Sequence, residues 1–357
     1  MTATSSAAEG TNVRQPADLA TVLAGLRAAG EHTRLRILAL LDQGELTVSE
    51  LCRILGQTQP RVSRHLKLLV DAGLLDRHSE GTSAFYAPTR VAPGRAMLDA
   101  VLSLVDLQDP TLTADHQRLD AIRAERAEAA GHYFEQIAER WDGVRSLHVA
   151  DTDVEEALLR AATDHRIDDG PIRSLLDIGT GTGRILELFA NRIDRGLGID
   201  LSKAMLNLAR TNLTRAGHDH LSVRHGNIYA PEIVPGSYDL AVLHHVLHFL
   251  DEPYAAINAA VDGLRPGGLL IIVDFAPHQL ESLRTDHAHR RLGFTDQEIA
   301  AWCEDAGLNR IEVSHLVPTT AGTTDDLLTV GLWTAIRPLA ADGPTPTDGS
   351  TIDPEST

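Results

Sequence analysis

The sequence predicts a multidomain α/β protein, with a winged helix-turn-helix at its N-terminal end and a Rossmann-like domain behind it. Three observations predict this. Apolar spacing is helical up to about Asp109, with one hairpin-like stretch inside it. From Ile172 onward, short β-branched runs alternate with helical stretches, the pattern of a parallel sheet covered by helices. Charge divides the same way, since residues 1–100 hold 11 basic and 10 acidic side chains whereas residues 101–357 hold 21 and 40. The chain accordingly divides into a tail over 1–15, a winged helix-turn-helix domain over 16–108, a helical coupler over 109–150, a Rossmann-like domain over 151–338 and a second tail over 339–357.

In the first domain, Thr47–Gly56 reads as a short helix with Val48, Leu51, Ile54 and Leu55 on one face and Gly56 placed to end it. Thr58 is placed to cap a second helix, with Pro60 in its first turn where a missing N–H is harmless. Val62, Leu66 and Leu69 then face inward. Arg61, Arg64 and His65 fall at i, i+3 and i+4 on the outward face, with Gln59 at the helix start and Ser63 and Lys67 beside them. From Gln59 to Leu68 there are three bases and no acid. Leu75–Arg77 and Ala84–Ala87 read as two strands joined around Glu80-Gly81, a wing in which Arg77, His78 and Ser79 can reach phosphate. A small helical oligomerisation domain with a solvated basic face is the plainer alternative. Asp115–Trp141 is an amphipathic helical segment bearing Leu119, Ile122, Ala130, Phe134, Ile137 and Trp141. It reads either as a coupler between the domains or as a spacer.

In the second domain, SLLDIGTGTGR carries a strand ending at Asp177, then Gly179, Thr180, Gly181 and Gly183 leading into a helix near Arg184. Glycines belong where a backbone must approach a ligand closely and turn from strand to helix. An acid before Gly-x-Gly-x-Gly disfavours a pyrophosphate at the helix start. A second strand ends at Asp200, 17 residues past Gly183, followed by Leu201. A carboxylate there can accept both hydroxyls of a ribose. Asn227 and Ile228 follow a third strand, offering an amide to an adenine edge and an apolar surface to its face.

The run from EHTRLRILALL through QTQPRVSRHLKLL and the wing, about Leu19–Pro88, resembles the ArsR/SmtB family of winged-helix repressors. That resemblance implies a homodimer on a pseudo-palindromic, double-stranded DNA operator, each recognition helix in a major groove. The arsenic-sensing members carry Cys-x-Cys where this sequence has Thr47, Val48 and Ser49. Cys52 alone makes no soft-metal site and reads as a small apolar side chain. Asp115-His116 lacks further ligands, so no metal residue is assigned there. Ser174–Trp333 resembles the class I S-adenosylmethionine-dependent methyltransferases. The resemblance implies a cofactor site in which Asp177 and Gly179 lie near the methionine part, Asp200 holds the ribose, and Asn227 with Ile228 holds the adenine. Asn227 stands where that family usually has Asp. His244, with His245 and His248, falls where such enzymes line the cofactor and acceptor pocket. Convergence with His287 and His289 on a metal is the less favoured alternative to pocket lining.

The two together resemble ArsR-type regulators with a methyltransferase-like domain, including the S-adenosylhomocysteine-responsive repressors of methionine-cycle genes; VDFAPHQLESLRTDHAHRRLGF is similar to a stretch typical of that group. This implies S-adenosylmethionine or S-adenosylhomocysteine as effector. An active small-molecule methyltransferase with an appended winged helix is the alternative, and no catalytic residue is assigned because methyl transfer needs no dedicated acid or base. The net charge of −18 argues against a nucleic-acid partner only if spread evenly. It resides in residues 101–357, leaving Arg61, Arg64 and Lys67 as a local patch. Two cysteines exclude a disulfide scaffold. No apolar stretch is long enough for a bilayer, and the first ten residues lack the basic and apolar regions of an export signal, so the cytoplasm is the expected location.

Overall fold

A computed structural model describes residues 17–80, 83–89, 91–137, 151–164, 170–317 and 328–339. Trp141, the turn residue Gly81 and nearly all of both tails lie outside them. The chain forms two compact units. The first comprises residues 1–133, 249–252 and 278–292; the second comprises 134–248, 253–277 and 293–357.

The first unit begins with α1 (Leu19–Ala29) and α2 (His32–Leu41), each started by an acidic N-cap, Asp18 and Glu31, whose carboxylates accept backbone N–H groups. Strand β1 (Leu46–Thr47) leads into α3 (Val48–Leu55), then α4 (Gln59–Asp71). Thr47 and Glu50 form a reciprocal capping box at the start of α3. Gly56 ends the helix at φ +64, a conformation costly for other residues. Thr58 occupies the N-cap of α4, but its side chain makes no capping hydrogen bond.

The wing strands β2 (Leu75–Glu80) and β3 (Ser83–Pro88) run longer than the sequence pattern indicates. They pair from Leu75↔Pro88 to Glu80↔Ser83, and β3 also pairs with β1. After α5 (Gly94–Leu102), α6 spans Pro110–Ile137. Leu119 and Ile122 of α6 enter the same core as Ile37, Leu51, Ile54, Val62, Leu66 and Leu69. The long helix is thus part of the winged-helix core. Asp115 is fully buried and accepts two hydrogen bonds from Arg36, at 2.6 and 2.7 Å, and one from Arg118 at 3.0 Å. This pairing explains the carboxylate at an otherwise apolar position without any metal.

In the second unit, α7 (Asp151–Asp164) precedes a seven-stranded sheet. Its strands are β4 (Ser174–Ile178), β5 (Arg195–Asp200), β6 (Leu221–His225), β7 (Tyr238–His244), β8 (Leu264–Phe275), β9 (Asn309–Leu316) and β10 (Val330–Ile336). The spatial order is β6-β5-β4-β7-β8-β10-β9. Pairs among β4 to β8 are parallel, while β10 runs antiparallel to both neighbours. Every residue of β4 is buried, and its apolar residues Leu175, Leu176 and Ile178 stand with the buried polar groups Ser174 and Asp177. The helices α8 (Arg184–Phe189), α9 (Lys203–Ala216), α10 (Pro253–Gly263) and α11 (Asp296–Asp305) occupy the connections. Strand order reverses between β4 and β7, and ligands of open α/β sheets bind outside the carboxyl ends of the strands at such a point.

Candidate functional site

Two clusters of candidate side chains stand in the structure, one in each unit. In the first, Gln59, Arg61, Arg64 and Lys67 are exposed along α4, and Ser63 is half-buried. Arg77 is exposed on β2. The structure differs from the sequence pattern at His65, which is half-buried with Nδ1 3.5 Å from the Glu31 carboxylate. Burial holds its imidazole below the usual range, with Arg34, Arg61 and Arg64 acting in the same direction against Glu31. The outward face of α4 is therefore formed by the arginines and lysine, and His65 serves the α2–α4 packing.

In the second unit, the turn after β4 holds Gly179, Gly181 and Gly183 at φ +75, +53 and +84. A Cβ on Gly179 would lie 2.4 Å from Val246 Cγ2, and one on Gly198 would lie 2.5 Å from Thr180 Oγ1. The backbone thus approaches its surroundings where side chains would obstruct it. Thr180 Oγ1 donates to Asp177 Oδ2 at 2.6 Å, orienting the buried carboxylate. At the end of β5, Asp200 Oδ2 accepts the Gly181 N–H at 2.8 Å and Oδ1 accepts the Ser202 N–H at 2.7 Å. Burial pushes the Asp200 carboxyl up, opposed by the N–H groups of Ser202, Gly181 and Leu201 and by His225. Each carboxylate oxygen carries two lone pairs, so acceptor capacity remains for a pair of hydroxyls. The adjacent Leu201 is 50% exposed, an apolar surface beside an acceptor.

Asn227 is exposed, and its Oδ1 accepts the Tyr229 N–H at 3.0 Å. That bond orients the amide and leaves one oxygen lone pair and the two N–H donors for a base edge. Ile228 is 2% exposed and presents little face to solvent. His244, half-buried at the end of β7, sits edge-on to His245 at 4.7 Å between ring centres.

A buried group at the same strand ends was only half legible in the sequence. His248 Nδ1 lies 2.7 Å from Asp274 Oδ1, and the His248 N–H donates to Asp274 Oδ2 at 3.3 Å. Phe275 covers the rings of His245 and His248 at 4.8 and 5.1 Å. Burial alone would raise the Asp274 carboxyl, but His248, His245 and the Phe275 N–H hold it below the usual range. The candidate ligand atoms of His245, His248 and Asp274 lie within 4.8 Å of one another. Within this group, His248 and Asp274 form a hydrogen-bonded pair. His287 belongs to the first unit, its Nδ1 2.8 Å from the Tyr133 hydroxyl. Cys52 packs against the winged-helix core, where burial pushes its thiol up. Among the described residues no helix is long and apolar enough to cross a membrane.

Comparison with known proteins finds one family match in each half of the chain. Residues 31–77 match the family model described as "Bacterial regulatory protein, arsR family", and residues 176–272 match "Methyltransferase domain". Methyltransferase AacuQ of Aspergillus aculeatus is 30% identical over 129 residues, 36% of this chain and 40% of that protein. A malonyl-[acyl-carrier protein] O-methyltransferase of Halalkalibacterium halodurans is 29% identical over 174 residues, 46% of this chain and 62% of that protein. A ubiquinone biosynthesis O-methyltransferase of Pseudomonas paraeruginosa is 28% identical over 165 residues, 42% and 68%. The match thus spans less than two thirds of the first two relatives. Among solved structures, the YcgJ protein of Bacillus subtilis aligns over 53% of this chain and 100% of its own, with 15% identity and a TM-score of 0.43. A SAM dependent methyltransferase of Aquifex aeolicus aligns over 57% and 98%, with 19% identity and a TM-score of 0.41. The chain carries an ArsR-family helix-turn-helix and a class I methyltransferase domain, a fold that implies a site for S-adenosylmethionine.

Proposed function

We propose that this protein is a DNA-binding transcriptional repressor whose methyltransferase-like domain binds S-adenosylhomocysteine or S-adenosylmethionine as an effector. The carrying observation is that one chain joins an exposed basic face on α4 to a glycine turn with Asp200 at its side. Arg61, Arg64 and Lys67 would contact the operator, and Arg77 the flanking phosphate. A homodimer would present two α4 helices to a pseudo-palindromic site. Asp200 would hold the ribose hydroxyls, Leu201 and Asn227 would flank the adenine, and the Gly179 turn would admit the methionine part. S-Adenosylmethionine, when bound, carries a transferable methyl on a cationic sulfur; the residues here bind and orient it. Genes of the methyl cycle are the targets this ligand suggests, and the cytoplasm is the fitting compartment.

Selection of operator fragments from genomic DNA, followed by titration with each ligand, tests this. A bound site whose affinity changes on ligand addition is expected, and unchanged affinity at saturating ligand would overturn the effector role. An effector can act only through different affinities for the two states.

A second reading, an active methyltransferase with a winged-helix appendage, is favoured by the relatives, which are named methyltransferases. Conversion of S-adenosylmethionine with some small-molecule acceptor would support it. Absence of product across a broad acceptor screen, with S-adenosylhomocysteine tightly bound, would count against it.

A further inference from the structure

The first unit contains two stretches that the chain supplies from among the strands of the methyltransferase domain. Phe249–Glu252 follows β7 and His248 directly, and His278–Leu292 begins four residues after Asp274. Within that unit, both act on the start of α3. Arg290 Nε lies 2.9 Å from Asp251, its Nη1 lies 3.6 Å from Glu50, and its Nη2 donates to the Glu45 carbonyl at 3.1 Å. Arg291, only 2% exposed, donates from Nη1 to the Glu45 carboxylate at 2.8 Å. Arg126 of α6 bridges Glu50 and Asp251.

The wing is held by the same segment. The guanidinium carbons of Arg284, Arg290 and Arg291 lie 5.6, 5.8 and 5.7 Å from the centre of the Phe85 ring. Phe85 pairs with Thr47, the N-cap of α3, on one side and with His78 of the wing on the other. Its ring stacks on His78 at 5.4 Å. Glu50 is the reciprocal partner in the α3 capping box. One segment therefore grips both the first helix of the helix-turn-helix and the middle of the wing. Three guanidinium groups around one ring repel one another, and Glu281 beside Arg284, Glu50 and Asp251 beside Arg290, and Glu45 beside Arg291 offset that repulsion.

The roots of both stretches are joined in the second unit. The His248–Asp274 pair ties the residue before Phe249 to the end of β8, and Val246, two residues before His248 in the chain, is the side chain that the Gly179 turn approaches.

We infer that His278–Leu292 is the element through which the DNA-binding unit senses ligand occupancy, with Arg290 and Arg291 clamping Glu45, Glu50 and Phe85 in one of two states. This rests on the ligand-responsive reading above. Allosteric coupling of that kind requires a discrete element that ligand and operator both bias.

Glu50→Gln provides a direct test in the full-length protein, because glutamine keeps the capping box while losing the charge that faces Arg290 and Arg126. Arg290→Gln removes the opposite partner and serves if the first variant folds poorly by circular dichroism. Operator affinity is measured by fluorescence anisotropy with and without S-adenosylhomocysteine, and ligand affinity by calorimetry. In the variants, ligand affinity within about twofold of wild type is expected, while the ligand-induced change in operator affinity, about 5–150-fold for coupled sites, shrinks at least fivefold. A wild-type ligand effect retained in both variants would overturn the clamp and leave the repressor reading standing. Loss of ligand binding in either folded variant would also overturn it, by placing these residues in the ligand site. A wild-type protein that binds operator and ligand independently would overturn the repressor reading, and the clamp with it.

Discussion

Gly179 and Gly217 allow a controlled comparison, because their backbones are nearly identical and their surroundings are opposite. They sit at φ +75 and +74. A Cβ on Gly217, the C-cap of α9, meets nothing within 4 Å, whereas one on Gly179 would lie 2.4 Å from Val246 Cγ2. Alanine at either position pays the left-handed penalty of about 1–2 kcal/mol. At Gly179 overpacking adds about 1–3 kcal/mol. Gly217→Ala should therefore lose about 1–2 kcal/mol and Gly179→Ala about 2–5 kcal/mol. Urea unfolding followed by the fluorescence of Trp302 and Trp333, both in the second unit, reads the difference. Adding Val246→Ala to Gly179→Ala should recover the overpacking part and leave the backbone part. Equal losses at the two glycines would refute the close approach of the turn to Val246, and with it the tight loop proposed to admit the ligand.

Other expectations follow from the same structure. Asp115→Ala leaves the half-buried Arg36 without its carboxylate and should destabilise the first unit by about 1–3 kcal/mol, measured by thermal melting. Asp239 is partly buried, which alone would raise its carboxyl, yet Arg265, Ser174 and the Arg173 N–H hold it below the usual carboxylate range. Its contribution is thus present above about pH 4, where the unfolded carboxyl ionises, and is lost as pH falls toward the lower folded value; Asp239→Asn should flatten the acid limb of the stability profile. Asp200 has the opposite sign, because burial raises its carboxyl in the fold and the charge opposes folding as pH rises through the folded value. Asp200→Asn keeps only one of the two acceptors that serve the Gly181 and Ser202 N–H groups, and the folded variant should lose most S-adenosyl affinity; affinity intact in the folded variant would contradict the role given to that carboxylate. Arg64→Ala should weaken operator binding and reduce the slope of log affinity against log salt by about 0.9 if it contacts one phosphate.

What was legible from sequence follows the range of the interaction. The α3–α4 pair, its inward faces and the glycine turn after β4 rest on patterns within a few residues, and periodicity reveals them. The polar run His78-Ser79-Glu80 hides the end of the first wing strand from a hydrophobic pattern, although β2 and β3 pair backbone to backbone as far as Glu80↔Ser83. His65 shares a helical face with Arg61 and Arg64 by spacing, but its partner Glu31 stands on another helix. The Arg291–Glu45 bond spans 246 positions, and a buried arginine reads as a surface residue until its carboxylate is known. The same applies to Asp274, whose partner His248 was visible as one of three histidines with nothing to rank it. Arg291 lies in His278–Leu292, one of the two stretches that depart from a simple division into consecutive domains.

Thermodynamic linkage provides the most direct measurement. If ligand and operator act on one two-state equilibrium, the factor by which saturating S-adenosylhomocysteine changes the operator Kd must equal the factor by which operator DNA changes the ligand Kd. Anisotropy titrations of labelled operator with and without ligand, paired with calorimetric titrations of ligand with and without operator, give both factors in one buffer. The account predicts equal factors of about fivefold or more. Factors of unity in both titrations, with each partner bound tightly alone, would contradict it.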